Sequence, residues 1–202
     1  MTSVVVIPTG TANTASVMAA FRRLGTEPRL GGAPEEVARA RRVVLPGVGS
    51  FASGADALDK LGIRDALIER LRGDLPTLAI CVGFQLLGSA SDESPGWRGL
   101  SVIDQGMQRI QSGVRVPHMG WAPIDAPPTA RYVISGWGYF AHSYRLAAQP
   151  EGWTASWSDH GEPFVAALER GRSLACQFHP ELSGSWGSGV LWRWLHDDGE
   201  DR

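Results

Sequence analysis

Short hydrophobic runs alternate with stretches of helical spacing through the first half of the chain. Apolar, largely β-branched runs at 3–7, 43–45 and 77–80 predict strands that are buried on both faces. Apolar positions at helical spacing predict helices between and around these strands, at 15–24, 35–40, 52–60 and 63–72. Strands that alternate with helices in this way favour an α/β fold, in which helices cover the faces of a central sheet.

The pattern changes in the second half of the chain. Runs of apolar positions separated by turn residues predict mainly strands, at 99–103, 107–110, 122–124, 132–134, 139–146, 153–157, 164–169 and 174–178. An apolar helix is predicted at 186–194. Consecutive strands joined by short turns favour antiparallel pairing. We therefore expect a mixed central sheet with an antiparallel section in its second half, built as one domain over residues 1–202.

Cys81 lies at the junction between the predicted strand at 77–80 and a helix that begins at Val82. A nucleophile at such a strand-to-helix elbow has its side chain lifted out of the sheet, where a substrate can reach it. The amide dipoles at a helix N-terminus also favour the thiolate, which is the reactive form of cysteine. Free cysteine is also among the most buried residue types, where it packs as a small hydrophobic residue. The elbow alone therefore leaves both a nucleophile and a core residue open.

A glycine-rich turn, residues 46–51, follows the predicted strand at 43–45. Its glycines, Gly47 and Gly49, let the backbone approach a ligand closely and can turn amide N–H groups outward. Such a turn at the end of a sheet strand can form an oxyanion hole. The alternative is a tight connection to the next helix without a role in chemistry.

His179 and Glu181 follow the last predicted strand and are separated by Pro180, which prevents the strand from continuing. If both side chains face one cleft, Glu181 can hold the imidazole in one tautomer. His179 could then take a proton from Cys81 and return it to a leaving amine. The alternative is a histidine at a strand end beside a solvated glutamate.

Charge and composition exclude several classes of function. The formal net charge of −2 gives no reason to expect binding to nucleic acid or to a membrane surface. No apolar run is long enough for a membrane span, and the first residues do not resemble a secretion signal. The two cysteines, Cys81 and Cys176, are too few for a disulfide framework, which favours a reducing, cytoplasmic setting. No residue set suggests a metal, and no glycine motif suggests a nucleotide, so we expect no cofactor.

Taken together, the motifs resemble those of the class I (triad) glutamine amidotransferases. The matching features are the Cys81 elbow, the turn at 46–49 and the segment 179–181 near the end of the chain. Two further blocks, 116–121 and 139–144, together with the block 177–181, resemble the glutaminase subunits of imidazole glycerol phosphate synthases. The resemblance covers nearly the whole chain. It implies a three-layer, flavodoxin-like α/β fold and an enzyme that uses no cofactor.

The resemblance also implies a role for each matching position. Cys81 would attack the side-chain carboxamide of glutamine, His179 would serve as acid and base, and Glu181 would orient the imidazole. The other implied site residues are the oxyanion-hole backbone of Val48, Gly49 and Val82, and the glutamine-binding residues Gln85, Glu93, Ser143 and Tyr144. Ammonia would pass through a channel to a (β/α)8-barrel cyclase of histidine biosynthesis, which in the family forms a heterodimer with the glutaminase and activates it. The residues expected at that interface and its ammonia gate are Asn13, Pro117, His118, Met119, Gly120, Trp121, Tyr139 and Leu182.

The chain departs from the family pattern at several positions. Ala79 stands where glycine is usual two residues before the nucleophile, and Pro8 and Ala12 replace Asp and Gly in the opening loop. Ala122 replaces the Asn that normally follows the 116–121 block, and Leu182 replaces a Lys that faces the cyclase. Because the triad matches while interface positions differ, the chain could be a paralogue that supplies ammonia to a different synthase. It could also be a stand-alone cysteine hydrolase or a non-catalytic docking subunit.

Overall fold

The computed structural model describes residues 3–10, 14–111 and 113–197. In chain order its elements are β1 (Val4–Val6), α1 (Thr14–Arg23), β2 (Pro28–Leu30), α2 (Pro34–Arg39), β3 (Arg42–Gly47), α3 (Phe51–Leu61), α4 (Arg64–Arg72), β4 (Thr77–Cys81), α5 (Val82–Gln85), β5 (Gln108–Arg109), β6 (His118–Ile124), β7 (Gly136–His142), β8 (Tyr144–Arg145), β9 (Thr154–Asp159), β10 (Pro163–Arg170), β11 (Ser173–Cys176), a 3-10 helix (Pro180–Leu182) and α6 (Gly184–Leu195). Within these ranges, no helix is both long and apolar enough to cross a membrane.

The central sheet has seven strands in the order β2-β1-β3-β4-β11-β10-β9. The first five of these run parallel, and β10 and β9 continue the sheet through antiparallel pairs. Every residue of β1, β3, β4 and β11 is buried, as expected for parallel strands with helices on their faces. The prediction of a mixed α/β sheet with an antiparallel section in the second half is confirmed.

The pairing register brings three strand ends to one edge of the sheet. Strand β4 lies between β3 and β11 and is parallel to both. Gly47, the last residue of β3, pairs with Cys81, and Cys176 of β11 pairs with Ile80. Parallel strands end at the same edge, so the glycine-rich turn, the elbow and the segment that carries His179 emerge side by side. This edge is where ligands usually bind in open α/β sheets.

The strand predicted at 99–103 is absent, and its backbone N–H groups bond elsewhere. The N–H of Leu100 donates to the carbonyl of Leu86 at 2.7 Å, and the N–H of Val102 donates to Leu87 at 3.0 Å. These carbonyls follow the short helix α5 and need donors because they lie past its last turn. An apolar run with the pattern of a strand therefore serves as the backbone cap of that helix.

The strand predicted at 132–134 is also absent. The N–H groups of Tyr132 and Val133 donate to the carboxylate of Glu169 at 3.0 and 2.9 Å instead of to a neighbouring strand. Burial raises the pKa of Glu169, while these backbone donors lower it. Tyr132 and Val133 are both buried, so this segment has the apolar residues that are typical of a strand although it does not pair as one.

Strands β6 and β7 form a separate antiparallel hairpin sheet with strict alternation of its two faces. The inner face is buried and includes His118, Ala122, Ile124, Gly138, Phe140 and His142. The outer face carries Met119, Trp121, Pro123 and Trp137, which are exposed, and Tyr139 and Ala141, which are partly exposed. Alternate residues of a strand point to opposite faces, so the hairpin has one side in the protein and one apolar side in solvent.

A buried pair of histidines closes the inner face of the hairpin. The Nδ1–H of His142 donates to the Tyr144 carbonyl at 2.9 Å, because that oxygen can only accept. In a neutral ring the other nitrogen, Nε2, accepts, and the donor is then Nδ1–H of His118 at 3.2 Å. His118 also stacks on Phe140 and His160, with centroid distances of 4.9 and 4.1 Å.

This burial makes the two histidines resist protonation. Burial and the nearby His160 lower the pKa of His118 to about 4. Burial, partly opposed by the bond to Tyr144, lowers the pKa of His142 to about 3. The unfolded chain binds protons at these histidines near pH ~6.5 while the folded chain does not. The stability that the neutral pair provides is therefore complete above pH ~6.5 and is lost as the pH falls towards ~4.

The elbow depends on two glycines because β3 and α5 touch there. A Cβ built on Gly47 would lie 2.7 Å from the backbone nitrogen of Gly83, and one built on Gly83 would overlap the carbonyl oxygen of Leu45. Neither obstacle is a flexible side chain. Helix α5 can therefore lie directly against β3 only while both positions lack a side chain.

We expect Gly83→Ala to destabilise the protein by about 1–3 kcal/mol, since the added methyl would displace rigid backbone. Urea unfolding would measure the change. Gly189→Ala in α6 is the matched control: the nearest atom to its added Cβ would be Arg193 Nη1 at 3.4 Å, the end of a flexible side chain. The control should stabilise the helix by about 0.5–1 kcal/mol. Equal effects of the two substitutions would contradict the close packing at the elbow.

We expect His118→Phe to reduce the loss of stability between pH ~6.5 and pH ~4, because the unfolded variant binds one proton fewer. The slope of the unfolding free energy against pH should fall by up to about the value for one proton. Phenylalanine keeps the stacking on Phe140 but binds no proton. The measurement is the free energy of unfolding in urea at a series of pH values. The reference is pH ~8, where His118 and His142 are neutral in both the folded and the unfolded chain. An unchanged acid slope would show that the pair does not oppose protonation.

Candidate active site

Cys81 ends β4 with an unusual backbone conformation, φ of 54° and ψ of −108°. A residue with a Cβ adopts such angles only at a cost of about 1–3 kcal/mol, and strain of this kind is common at active sites. The helix that follows, α5, is a single turn, shorter than the sequence pattern predicts. Cys81 is 3% exposed. The strained turn at Cys81, and not a long helix after it, therefore defines the position of the sulfur.

The structure brings Cys81, His179 and Glu181 together. Nδ1 of His179 lies 2.9 Å from Oε1 of Glu181, and the imidazole is close enough to Cys81 for that side chain to raise the pKa of His179. The Glu181 side chain is 4% exposed, and within the described residues its Oε2 has no hydrogen-bond partner. A carboxylate that accepts from Nδ1–H fixes the tautomer of the ring and directs Nε2 at the sulfur.

The electrostatics of the three groups favour a protonated imidazole. Burial lowers the pKa of His179, but interactions with the Cys81 and Glu181 side chains raise it to about 10. An imidazolium held between a sulfur and a carboxylate can give its proton to a leaving group. It can later accept a proton from water when its own has been used.

The glycine-rich turn lies beside the elbow. Gly47 pairs with Cys81 across β3 and β4, so Val48 and Gly49 follow at the same edge of the sheet. Gly49 is exposed and has φ of 88°, a conformation that suits glycine. Val82, the first residue of α5, is 4% exposed. The three residues predicted to form an oxyanion hole therefore lie at the same edge of the sheet as Cys81.

Gln85 is buried and bound to protein groups. Its Nε2 donates to the Tyr144 carbonyl and to Oε1 of Gln177, both at 3.1 Å. Both N–H groups are thus engaged, which leaves Oε1 as the atom that Gln85 can offer to a substrate. The Ser143 carbonyl accepts from the N–H of Ile110 at 3.0 Å.

Glu93 lies beside the start of α3, close to the glycine-rich turn. Its Oε2 accepts from the N–H of Phe51 at 2.6 Å, and the Ser94 hydroxyl accepts from the N–H of Ala52 at 3.2 Å. The carboxylate therefore caps the helix that the turn leads into. Glu93 is partly exposed, so its charge borders the same edge of the sheet as Cys81.

The residues expected at the partner interface fall into three groups. Asn13 lies outside the described residues. Pro117, Met119, Trp121 and Leu182 are exposed, and Gly120 and Tyr139 are partly exposed. His118 is 5% exposed and its ring belongs to the buried histidine pair, because its strand position faces inward. Its place at the interface or the ammonia gate stays a prediction.

Sequence reasoning missed Gln177. It is fully buried, and its Nε2 lies 3.8 Å from the sulfur of Cys81. The signal lay in the register: Cys176 pairs with Ile80, so the residue after β11 stands beside the next residue on β4, which is Cys81. A buried amide at that position needs partners, and only knowledge of the pairing shows which they are.

Comparison with known proteins places this chain in a family. The family model described as "Glutamine amidotransferase class-I" matches residues 5–191. Imidazole glycerol phosphate synthase subunit HisH of Escherichia coli K12 is 36% identical over 199 residues, which cover 96% of this chain and 98% of that protein. The subunit HisH of Streptococcus gordonii is 36% identical over 192 residues, which cover 93% of this chain and 92% of that protein. Imidazole glycerol phosphate synthase hisHF of Arabidopsis thaliana is 37% identical over 195 residues, covering 93% of this chain but 33% of that longer protein.

Solved structures show the same fold. A crystal structure of a glutamine amidotransferase aligns with a TM-score of 0.75 at 20% identity, covering 95% of this chain and 96% of that one. A chain of PurLQS from Thermotoga maritima aligns with a TM-score of 0.74 at 16% identity, covering 96% of both chains. These structures carry the fold alone, whereas the family model spans most of the sequence. The chain belongs to the class I glutamine amidotransferases.

Proposed function

We propose that the protein is the glutaminase subunit of an imidazole glycerol phosphate synthase. It hydrolyses glutamine to glutamate and ammonia, acts as a single domain over residues 1–202, and works in the cytoplasm. The observation that carries the chemistry is the 2.9 Å hydrogen bond between His179 and Glu181, in a buried site where the Cys81 side chain helps to raise the pKa of the imidazole. The similarity to HisH subunits along nearly the whole chain supports the pathway.

In the first half-reaction, the sulfur of Cys81 forms a bond to the side-chain carbonyl carbon of glutamine, and the electron pair of the C=O bond moves onto oxygen. The backbone N–H groups of Val82 and of the Val48–Gly49 turn hold that oxyanion. His179 gives its proton to the amide nitrogen, the C–N bond breaks, and ammonia leaves. A thioester on Cys81 remains.

In the second half-reaction, water attacks the thioester while His179 accepts a proton from it. The C–S bond breaks, glutamate leaves, and the sulfur departs as a thiolate beside an imidazolium. Glu181 keeps the ring oriented through both steps, since its Oε1 binds Nδ1 at 2.9 Å. The site thus returns to its starting charge state without a cofactor.

The α-amino acid end of glutamine would bind beside the elbow. An ammonium group needs acceptors, and Oε1 of Gln85 and the carboxylate of Glu93 can supply them. The backbone of Ser143 and Tyr144 is held nearby, because the Tyr144 carbonyl accepts from Gln85 at 3.1 Å. Gln85 would therefore contact both the substrate and the Tyr144 carbonyl of β8.

The outer face of the β6–β7 hairpin is the proposed docking surface for a (β/α)8-barrel cyclase, with which the chain would form a heterodimer. Trp121 and Trp137 are 53% and 57% exposed, Met119 is 65% exposed, and Leu182 beside the triad is 44% exposed. Large apolar side chains gathered in this way on a surface mark an interaction site. Aromatic residues and methionine are also enriched in the cores of protein interfaces.

The docking surface has a direct connection to the triad. The N–H of His179 donates to the Tyr139 carbonyl at 2.8 Å, and the N–H of Tyr139 donates to the Ser183 hydroxyl at 2.9 Å. The Ser183 hydroxyl in turn donates to the His179 carbonyl at 2.6 Å. A partner that moves strand β7 would therefore move the backbone of His179. This connection supports activation of the glutaminase by its synthase.

Leu182 favours a second candidate within the same chemistry. The resemblance expects a lysine here that faces the cyclase, and the structure shows an exposed leucine. A partner that binds an apolar residue at this point differs from one that binds an ammonium group. The second candidate is a paralogous amidotransferase subunit that supplies ammonia to another synthase.

We expect His179→Ala to lower the rate of glutamine hydrolysis by about 10²–10⁴-fold, the usual effect of removing a general acid–base group. The measurement is ammonia release in the presence of the partner synthase. His196→Ala, at the exposed position that follows α6, is the matched control and should retain activity. Near-normal hydrolysis by the His179 variant would refute the assigned role.

We expect Trp121→Ala to weaken binding of the partner by about 10-fold or more, because aromatic residues at interface centres often contribute more than ~1 kcal/mol. Trp192→Ala is the matched control: Trp192 is 52% exposed, close to the 53% of Trp121, but it lies on α6 and stacks on His196. The dissociation constants of both variants would be measured with the barrel cyclase by titration calorimetry.

The same titration separates the two candidate functions. Tight binding and strong activation of the parent chain by the histidine-pathway cyclase support the imidazole glycerol phosphate synthase subunit. Failure of that cyclase to bind, together with labelling of Cys81 by a glutamine-like electrophile, favours the paralogue. Equal loss of affinity in the Trp121 and Trp192 variants would contradict docking on the hairpin.

A further inference from the structure

The carboxamide of Gln177 lies between the nucleophile and the proposed glutamine site, and neither half-reaction gives it a role. Its Nε2 is 3.8 Å from the sulfur of Cys81, within hydrogen-bonding range for sulfur, and its Oε1 accepts from Gln85 Nε2 at 3.1 Å. Gln177 is fully buried. A primary amide buried among parallel strands is costly unless its polar atoms are used, so this placement has a physical reason.

The orientation of both amides follows from one backbone oxygen. The Tyr144 carbonyl can only accept, so the atom of Gln85 that faces it is Nε2. The same Nε2 faces Gln177, and the atom that meets a donor must be the oxygen, Oε1. The remaining atom of that amide, Nε2, then faces the sulfur. The series of hydrogen bonds from Tyr144 to Cys81 therefore ends in a donor that points at the nucleophile.

The surroundings of the sulfur give this donor a specific effect. The Ala141 carbonyl lies 3.9 Å from the sulfur and can accept from a thiol S–H, which favours the protonated form. A carboxamide N–H can only donate, so it interacts better with a thiolate than with a thiol. In the described part of the chain, the sulfur thus has one hydrogen bond to the Ala141 carbonyl and one from Gln177, which is not a member of the triad.

We propose that Gln177 is a positioning residue for the nucleophile: its carboxamide N–H binds the thiolate of Cys81 and holds it away from the Ala141 carbonyl, with Gln85 locking the amide in place. The inference deepens the proposed glutaminase function and rests on it. It also links substrate binding to the nucleophile. A glutamine ammonium bound at Oε1 of Gln85 would polarise the same amide that holds Gln177, and hydrogen bonds in such series strengthen one another.

The test is the pH dependence of alkylation of Cys81 by iodoacetamide, which needs no glutamine. The extent of modification of the Cys81 peptide would be followed by mass spectrometry in the parent chain and in two variants of similar size, Gln177→Leu and Gln177→Glu. Leucine removes the donor, and glutamate replaces it with an oxygen. Cys176 is an internal control, since it is fully buried and burial raises the pKa of its thiol.

We expect the pH midpoint of Cys81 alkylation to be lowest in the parent chain, higher in Gln177→Leu and highest in Gln177→Glu. The shift for Gln177→Leu should be about one pH unit or more. In glutamine hydrolysis, that variant should lower kcat by about 10-fold or more, because the contact is with the reacting sulfur. If the role of Gln177 were purely structural, the substitutions would lower the melting temperature without this order of alkylation midpoints. Gln177→Met supplies a second neutral variant if the leucine chain does not fold.

Two outcomes overturn the inference. One is a folded Gln177→Leu or Gln177→Met chain with the parent's alkylation midpoint. The other is a midpoint for Gln177→Glu at or below that of the leucine variant. These outcomes concern only the amide at the sulfur. Failure of the proposed function would instead appear as absence of glutamine hydrolysis by the parent chain with every synthase tested, whatever the alkylation profile shows.

Discussion

The parallel register of β4 between β3 and β11 is the constraint on which the rest of the site depends. Gly47 is opposite Cys81 on one side, and Cys176 is opposite Ile80 on the other. Because side chains alternate between the faces of a strand, a slip of one residue would send the sulfur to the other face of the sheet. The same register places Gln177 beside Cys81 and lets the chain reach His179 two residues later. Groups that are far apart in sequence meet because three short strands pair in one way.

The strain at the elbow and the packing around it belong together. Cys81 has φ of 54° and ψ of −108°, angles that a free chain would leave. They persist because α5 is pressed against β3, where Gly47 and Gly83 allow backbone to meet backbone. The cost of the strained residue is thus offset by burial of the surrounding strands, all of which are fully covered. A sulfur held in this way needs little reorganisation before it reacts, which is what electrostatic preorganisation requires.

The parts of the structure that the sequence predicts correctly are those whose physical cause is local. The strand-to-helix elbow, the glycine-rich turn and the proline after His179 each leave a signature in a few consecutive residues, and the sheet class follows from the alternation of elements. The errors arise where hydrogen-bond partners are distant. Residues 99–103 and 132–134 have the hydrophobicity of strands, but their N–H groups bind the carbonyls after α5 and the carboxylate of Glu169. His118 lies in a block of exposed residues, which favours a surface position, although the alternation of β6 turns it inward.

The β6–β7 hairpin gives a physical reason why such a glutaminase would depend on a partner. Its outer face is apolar and exposed, while the Ala141 carbonyl on the same strand lies 3.9 Å from the sulfur and Tyr139 binds the backbone of His179. Any partner that binds better to one position of this strand than to another must shift the population of that position. By linkage, glutamine that favours the same position must strengthen partner binding by an equal free energy. Ammonia would then be released mainly when a receiving synthase is in place, because one strand carries both the proposed docking face and the contact to the backbone of His179.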